Sequence, residues 1–173
     1  MPQVQGFPPI ANAKARVLIL GSMPGGASLA AGQYYAHGQN LFWRILGDIT
    51  GAAPSLPYAL RARALKFHQI ALWDVLASCK RDGSLDSAIE EASIRANDFT
   101  AFYRVHPRIV RVFFNGAKAE ACYRRYVLPG VAAGLGPKSC ARLPSTSPAN
   151  ASMSRAYKHK VWTQALRLAL AAR

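Results

Sequence analysis

Apolar residues gather into three short runs rich in β-branched and aromatic side chains, Arg16 to Leu20, Gln69 to Trp73 and Ile109 to Asn115, and a weaker fourth, Ser139 to Leu143. Each is bounded by Gly, Pro or polar residues, the pattern of short buried strands. Between them the spacing of apolar positions predicts helices over Asn40 to Ile49, Tyr58 to Lys66, Ser84 to Ala92, Asn97 to Val105, Ala117 to Tyr126 and Ser154 to Ala171. Strands that alternate with helices predict a parallel sheet covered on both faces, a three-layer α/β/α sandwich around a mainly parallel four-stranded sheet.

Several of these helices have a readable start or stop. Ser84 before LDSAIEEA and Asn97 before DFTAFYRV offer short polar side chains to first-turn amides, and Pro107 ends the second. In the last helix Tyr157, Val161, Trp162, Ala165, Leu166, Leu168 and Ala169 fall near helical spacing, with Lys158, Lys160, Arg167 and Arg173 mostly outside that stripe. The stripe is expected to pack on the sheet. Gly130 to Pro137 reads as a loop rather than a linker, and no internal repeat interrupts the chain, so residues 1–173 are expected to form a single domain.

Composition narrows the class. A chain of 173 residues with 51% hydrophobic content is long and apolar enough for a real core. Its 22 Lys and Arg against 8 Asp and Glu leave a formal charge of +14, which attracts polyanions and makes nucleic acid the leading partner class. Cys79, Cys122 and Cys140 are an odd number without close pairs, so they are expected to be reduced and buried. There is no charged leader followed by an apolar core, and no run approaches the ~20 apolar residues of a membrane span. The chain is therefore expected in the cytoplasm.

Candidate chemistry begins where the first strand ends. Gly21 to Trp43 reads GSMPGGASLAAGQYYAHGQNLFW, combining turn glycines, aromatics and an amide. The glycines lack the Gly-Lys-Ser/Thr ending of a nucleoside triphosphatase loop and the spacing of a dinucleotide fold, but permit a ligand to approach the backbone. A plain strand-to-helix turn accounts for them equally well. Phe42 and Trp43 open a helix and are expected in the core, whereas Tyr34 and Tyr35 lie in a glycine-flanked loop, with Tyr35 the candidate to stack on a base. His37 is expected to be a structural hydrogen-bonding residue.

Two further motifs share that sheet edge. Asn115 ends the strongest apolar strand, and an amide matches the adjacent N–H and carbonyl of uracil or hypoxanthine; capping the following helix is the other use of such a residue. Leu143 to Asn150 reads LPSTSPAN, a proline-stiffened loop whose Ser145, Thr146, Ser147, Pro148 and Asn150 suit DNA contact, with Arg155 and Lys158 just beyond. Asp74 follows the second strand, where it is expected to fix a loop rather than aid catalysis.

Taken together, GSMPG at Gly21 to Gly25, YYAHGQNLFW at Tyr34 to Trp43, ALWDVL at Ala71 to Leu76, FFNG at Phe113 to Gly116 and LPSTSPAN resemble the uracil-DNA glycosylase superfamily, and within it the hypoxanthine-DNA glycosylase branch. Mismatch-specific relatives carry a water-positioning Asn before the Pro of the first motif, where this chain has Met23. The hypoxanthine branch shares that loss and places a needed Asn in the second motif, which here is Asn40. The resemblance implies a monofunctional base-excision repair glycosylase acting on double-stranded DNA that holds a deaminated base, hypoxanthine first and uracil or xanthine second. It implies Asn40 and Asn115 as catalytic, Tyr35, Met23, Ser22, Gly21 and Phe42 around the base, and LPSTSPAN in the groove. No cofactor or metal is expected, and a monomer is. The competing expectation is a catalytically silent nucleic-acid-binding module of the same fold, for which Met23 is the best support.

Overall fold

Three strands of the central sheet form where the apolar runs are continuous, because a strand buried on both faces needs apolar side chains on both; the fourth, Ser139–Leu143, is an edge strand with one exposed side. In the computed structural model, which describes residues 1–172, the elements in chain order are β1 (Gln3–Gln5), β2 (Val17–Gly21), α1 (Gly26–Ala31), α2 (Phe42–Thr50), α3 (Tyr58–Phe67), β3 (Ile70–Asp74), β4 (Leu76–Lys80), β5 (Arg95–Ala96), α4 (Phe99–Val105), β6 (Arg111–Asn115), α5 (Ala117–Cys122), β7 (Ser139–Leu143) and α6 (Arg155–Ala171). Four strands form a parallel sheet in the order β3-β2-β6-β7, with Leu18 opposite Ala71 on one side and Val112 on the other. The expected α/β architecture and its four strands are borne out.

β2 is the pivot. The chain leaves it in one direction to β3, then returns across it to β6 and β7. Helix α3 packs on β3, α5 on β6 and α6 on α2, and crossovers that run in opposite directions from β2 follow the rule that sends the helices of the two halves to opposite faces. That reversal of direction opens a crevice outside the carboxyl ends of β2 and β6, the place where such sheets bind ligands.

Three features depart from the pattern. A small antiparallel sheet, β1-β4-β5, is added beyond Asp74, where the chain turns out of the parallel sheet at Val75. The helix expected over Ser84 to Ala92 is two single 3-10 turns, Asp86–Ala88 and Glu91–Ser93. Its polar residues are taken up by tertiary contacts: Ser84 accepts from the Gly26 amide at 2.8 Å instead of capping a helix. One residue on, Asp98 rather than Asn97 caps α4, accepting from the Ala101 amide, and the Asn97 side chain donates to the Asp74 backbone carbonyl.

In α6, Trp162, Leu166 and Ala169 are buried as expected, but Tyr157 and Leu168 are exposed and Lys158 is buried in their stead. Of the three thiols, Cys79 and Cys122 are buried, while Cys140 lies on the exposed side of the edge strand β7. No described helix is long and apolar enough to cross a membrane.

Candidate functional site

A cavity of about 530 Å³ lies over the crevice between β2 and β6. Its walls are the loop after β2, the Tyr34 to Asn40 segment, the end of β3, the Ser84 to Ser87 turn, Asn115 and the loop after β7. The sheet edge thus gathers all three motifs legible in the chain, together with a fourth wall, Ser84 to Ser87, that sequence reasoning assigned to a helix. Its one visible signal was a turn-like Asp82-Gly83-Ser84 stretch.

The glycine loop is held by that fourth wall. Ser22 is buried and its hydroxyl donates to Asp86 at 2.7 Å, and the buried Arg81 donates to the Pro24 and Gly83 carbonyls. Gly21 is glycine for a local reason. A Cβ there would sit 2.4 Å from Asp74 Oδ1 and 2.8 Å from the Tyr35 hydroxyl, so the two side chains occupy the space it leaves. Met23 is buried and lines the cavity beside them.

Tyr34 is buried, contrary to its reading as a free loop residue: its hydroxyl reaches the Phe7 and Pro8 carbonyls, and its own carbonyl accepts from the Trp43 indole. Those bonds hold the next residue, Tyr35, in a left-handed backbone conformation (φ 54°) that a non-glycine residue adopts only when its surroundings impose it. The Tyr35 ring stacks on Phe42 with centroids 4.1 Å apart, and its hydroxyl is buried without a partner. Burial, and next the Asp74 carboxyl, push that hydroxyl well above the ordinary phenol range. Phe42 is fully buried and does not line the cavity, so the expectation that it touches a base is corrected: it supports Tyr35 from below. His37 is exposed and its Nδ1 accepts from the Gln39 amide.

Asn40 Oδ1 accepts from the Phe42 amide at 3.0 Å, a turn just ahead of α2 that fixes the side chain at the cavity wall with its amino group outside that bond. Asn115 is committed differently from either expected use. Its Nδ2 donates to Thr146 Oγ1 and its Oδ1 accepts from the Thr146 amide, both at 2.9 Å, tying β6 to the loop after β7. Gly116, at φ 93°, lets that loop pack closely, since a Cβ there would meet Ser145 Cβ at 3.0 Å.

Several residues expected at DNA are spent on shaping this loop. Thr146 is buried, Ser145 Oγ accepts from the Ser147 amide, Ser147 Oγ accepts from the Ala149 amide, and Asn150 accepts from Ser152. Lys158 is corrected outright. It is 3% exposed and its ammonium donates to the Ser147 and Asn150 carbonyls, so it holds the loop from behind. Burial, and next the Arg155 charge, lower its pKa. Arg155 is exposed and donates to the Gln39 carbonyl, next to Asn40 at the cavity wall, while Pro148 lines the wall.

Asp74 fixes no loop through its side chain. It is 3% exposed, lines the cavity, and its Oδ2 has no partner. Burial, and next the neighbouring Asp86, push its carboxyl up to about 7, opposed by Arg81. Asp86 is raised as well, by burial first. No group of three or more metal-ligating side chains occurs among the described residues.

The comparisons with known proteins converge. The family model described as Uracil DNA glycosylase superfamily matches residues 8–167. A protein named Hypoxanthine DNA glycosylase from Methanosarcina barkeri (strain Fusaro / DSM 804) is 43% identical over 116 residues, which cover 66% of this chain and 72% of that one. One of the same name from Methanosarcina acetivorans is 37% identical over the same shares. A solution NMR structure from M. acetivorans with a provisional uracil DNA glycosylase name superposes with a TM-score of 0.75 at 32% identity, over 97% of this chain and 99% of that one.

Proposed function

Because the chain belongs to the uracil DNA glycosylase superfamily, we propose that it is a monofunctional DNA glycosylase of base-excision repair that hydrolyses the N-glycosidic bond of a deaminated base, hypoxanthine first. The family and the two hypoxanthine DNA glycosylases it resembles support the glycosylase activity. The observation that carries the reading is the cavity itself. It has a stacking ring, an amide and a buried carboxyl around about 530 Å³, room for a base but only if the base leaves the duplex.

Extrusion costs a few kcal/mol, less at a weak pair such as inosine opposite thymine, so pairing contributes selectivity. A base lying on the Tyr35 ring extends the Phe42–Tyr35 stack, and base–aromatic stacking is worth about 1–3 kcal/mol. Strain at Tyr35 φ is the cost of having that ring in place beforehand. The net charge of +14 supplies attraction to the phosphate backbone, and Arg155, bonded to the residue before Asn40, is exposed for it. The protein acts as a monomer on double-stranded DNA in the cytoplasm.

As the bond breaks, positive charge develops on the sugar and negative charge on the departing base, and groups fixed in advance lower the barrier. In this reading Asn40, held by its bond to the Phe42 amide, orients the attacking water, and the tie from Asn115 to Thr146 holds the wall against which the base leaves. No Lys lines the cavity, so an abasic site forms without a Schiff base or strand cleavage.

The test is single-turnover excision from duplexes containing inosine, uracil, xanthine or ethenoadenine, read as alkali-labile sites. We expect inosine to be cut fastest and Asn40→Ala to abolish excision while circular dichroism stays native. A folded Asn40→Ala protein at wild-type rate removes the assignment. A duplex shifted in a gel with no alkali-labile site from any base would mean a silent binding module.

A further inference from the structure

The polar side chains around the cavity floor can be sorted by what already holds them. Ser22 is bonded to Asp86, Ser84 to the Gly26 amide, Ser28 to the Ala36 amide, and both ends of the Asn115 amide to Thr146. Two buried atoms are left without a well-formed bond, Asp74 Oδ2 and the Tyr35 hydroxyl, and of the two only the Tyr35 hydroxyl has a neutral polar side chain beside it, the Asn115 amide. The two side chains are neighbours: Asp74 Oδ1 and the Tyr35 hydroxyl both lie within 3 Å of the one point where a Gly21 Cβ would stand. Buried polar groups without partners are uncommon in native proteins, and a pair of them lining a cavity marks a place completed by something else.

We propose that Asp74 is the group that hydrogen-bonds the polar edge of the flipped base, the position Asn115 would otherwise fill. This rests on the glycosylase reading above. No hydrogen bond commits Asp74 Oδ2 to the protein, and the residue lines the cavity. A deaminated base carries a ring N–H beside a carbonyl; a neutral carboxyl accepts from the one and donates to the other, whereas an ionised carboxylate can only accept. The neutral form also meets the negative charge that the base gains on leaving, which the ionised form opposes.

The surroundings keep the proton on. Asp74 is enclosed by β2 and the Tyr35 segment, with Asp86 adding a like charge, Arg81 the opposing one, and the phenols of Tyr34, Tyr35 and Tyr58 close by. With its carboxyl pushed up to about 7, Asp74 changes from mostly neutral to mostly ionised over the pH range in which the enzyme would work.

The experiment is single-turnover excision from an inosine duplex at enzyme concentrations below saturation, where the rate reports the free enzyme, followed between about pH 5.5 and pH 8. The wild-type rate is expected to fall about tenfold from pH 6 to pH 8. Asp74→Asn, which keeps a donor and an acceptor but does not titrate, is expected to stay active with a flat profile. Asp74→Ala is expected to lose at least about a hundredfold while binding undamaged duplex normally. A structural role for Asp74 predicts no difference in profile shape between wild type and Asp74→Asn, and that result overturns the proposal. So does wild-type activity in a folded Asp74→Ala protein. If Asp74→Asn does not fold, a flat wild-type profile by itself overturns it. Failure of the glycosylase reading looks different, since the wild-type protein then excises no base at any pH, which overturns both.

Discussion

Replacing Asp74 by Asn should raise the stability of the protein, and by an amount that grows with pH. The carboxyl lies buried beside Asp86, and its pKa moves from 3.8 in the unfolded chain to about 7 in the folded one. Between those values the unfolded chain has lost the proton and the folded chain retains it, so the folded state binds more protons and stability declines as pH rises. Each pH unit costs at most 1.36 kcal/mol, and the interval of about three units accumulates about 4 kcal/mol by pH 8. The amide introduced by Asp74→Asn does not titrate and carries no such cost. Removing one of two neighbouring carboxylates also relieves Asp86, whose pKa is raised, so the measured effect belongs to the pair.

Urea unfolding of both proteins between about pH 4.5 and pH 8 gives the difference for the coupled Asp74–Asp86 pair, because the titrating groups outside that pair are shared and cancel. The expected result is a gap that widens by about 2–4 kcal/mol in favour of Asp74→Asn, most of it developing between about pH 5 and pH 7. A gap constant to within about 0.5 kcal/mol, or one that narrows, refutes the claim that the carboxyl is held neutral by burial.

Three further substitutions test the scaffold around the cavity. Thr146→Val keeps the shape and the backbone bond to Asn115 Oδ1 but removes the acceptor for Nδ2; it should cost about 1 kcal/mol in urea melts and slow excision, while a neutral effect on both denies the tie any role. Gly21→Ala places a methyl group 2.4 Å from Asp74 Oδ1 and 2.8 Å from the Tyr35 hydroxyl; excision should drop more than about tenfold with a loss of about 1–3 kcal/mol in stability, as crowding displaces both groups. Lys158→Met leaves the Ser147 and Asn150 carbonyls without their donor. Thermal melts should show a loss of about 1–3 kcal/mol, with the salt dependence of DNA binding unchanged; a shallower salt slope would return Lys158 to the DNA interface.

The difference between Lys158 and Arg155 shows why charge patterns read poorly one residue at a time. Both are cations near the start of one helix, but the helix turns Lys158 inward under the loop after β7, where two carbonyls need a donor, and leaves Arg155 outside. Tyr34 and Tyr35 make the same point. Adjacent in a loop, one is anchored by carbonyls from the Phe7–Pro8 segment and the other is pressed onto Phe42, and neither partner is adjacent in the chain. The Ser84 to Ser87 wall departs from its local pattern for a related reason. Its apolar spacing suits a helix, but Ser84 is used by Gly26 and Asp86 by Ser22, and those bonds outweigh a local propensity worth only a few tenths of a kcal/mol per residue.

What the sequence determined by itself was the sheet and its functional edge. Continuous apolar runs can be satisfied only as strands buried on both faces, their alternation with helices makes them parallel, and a parallel sheet places every strand-to-helix loop, hence Gly21 to Gly25, Asn115 and LPSTSPAN, at one end. What only the tertiary structure decided was which polar groups at that end remain uncommitted. That depends on partners brought together from distant segments. It turned Asn115 into a tie for Thr146, made Phe42 the support beneath Tyr35, and left Asp74 Oδ2 buried at the cavity without a partner.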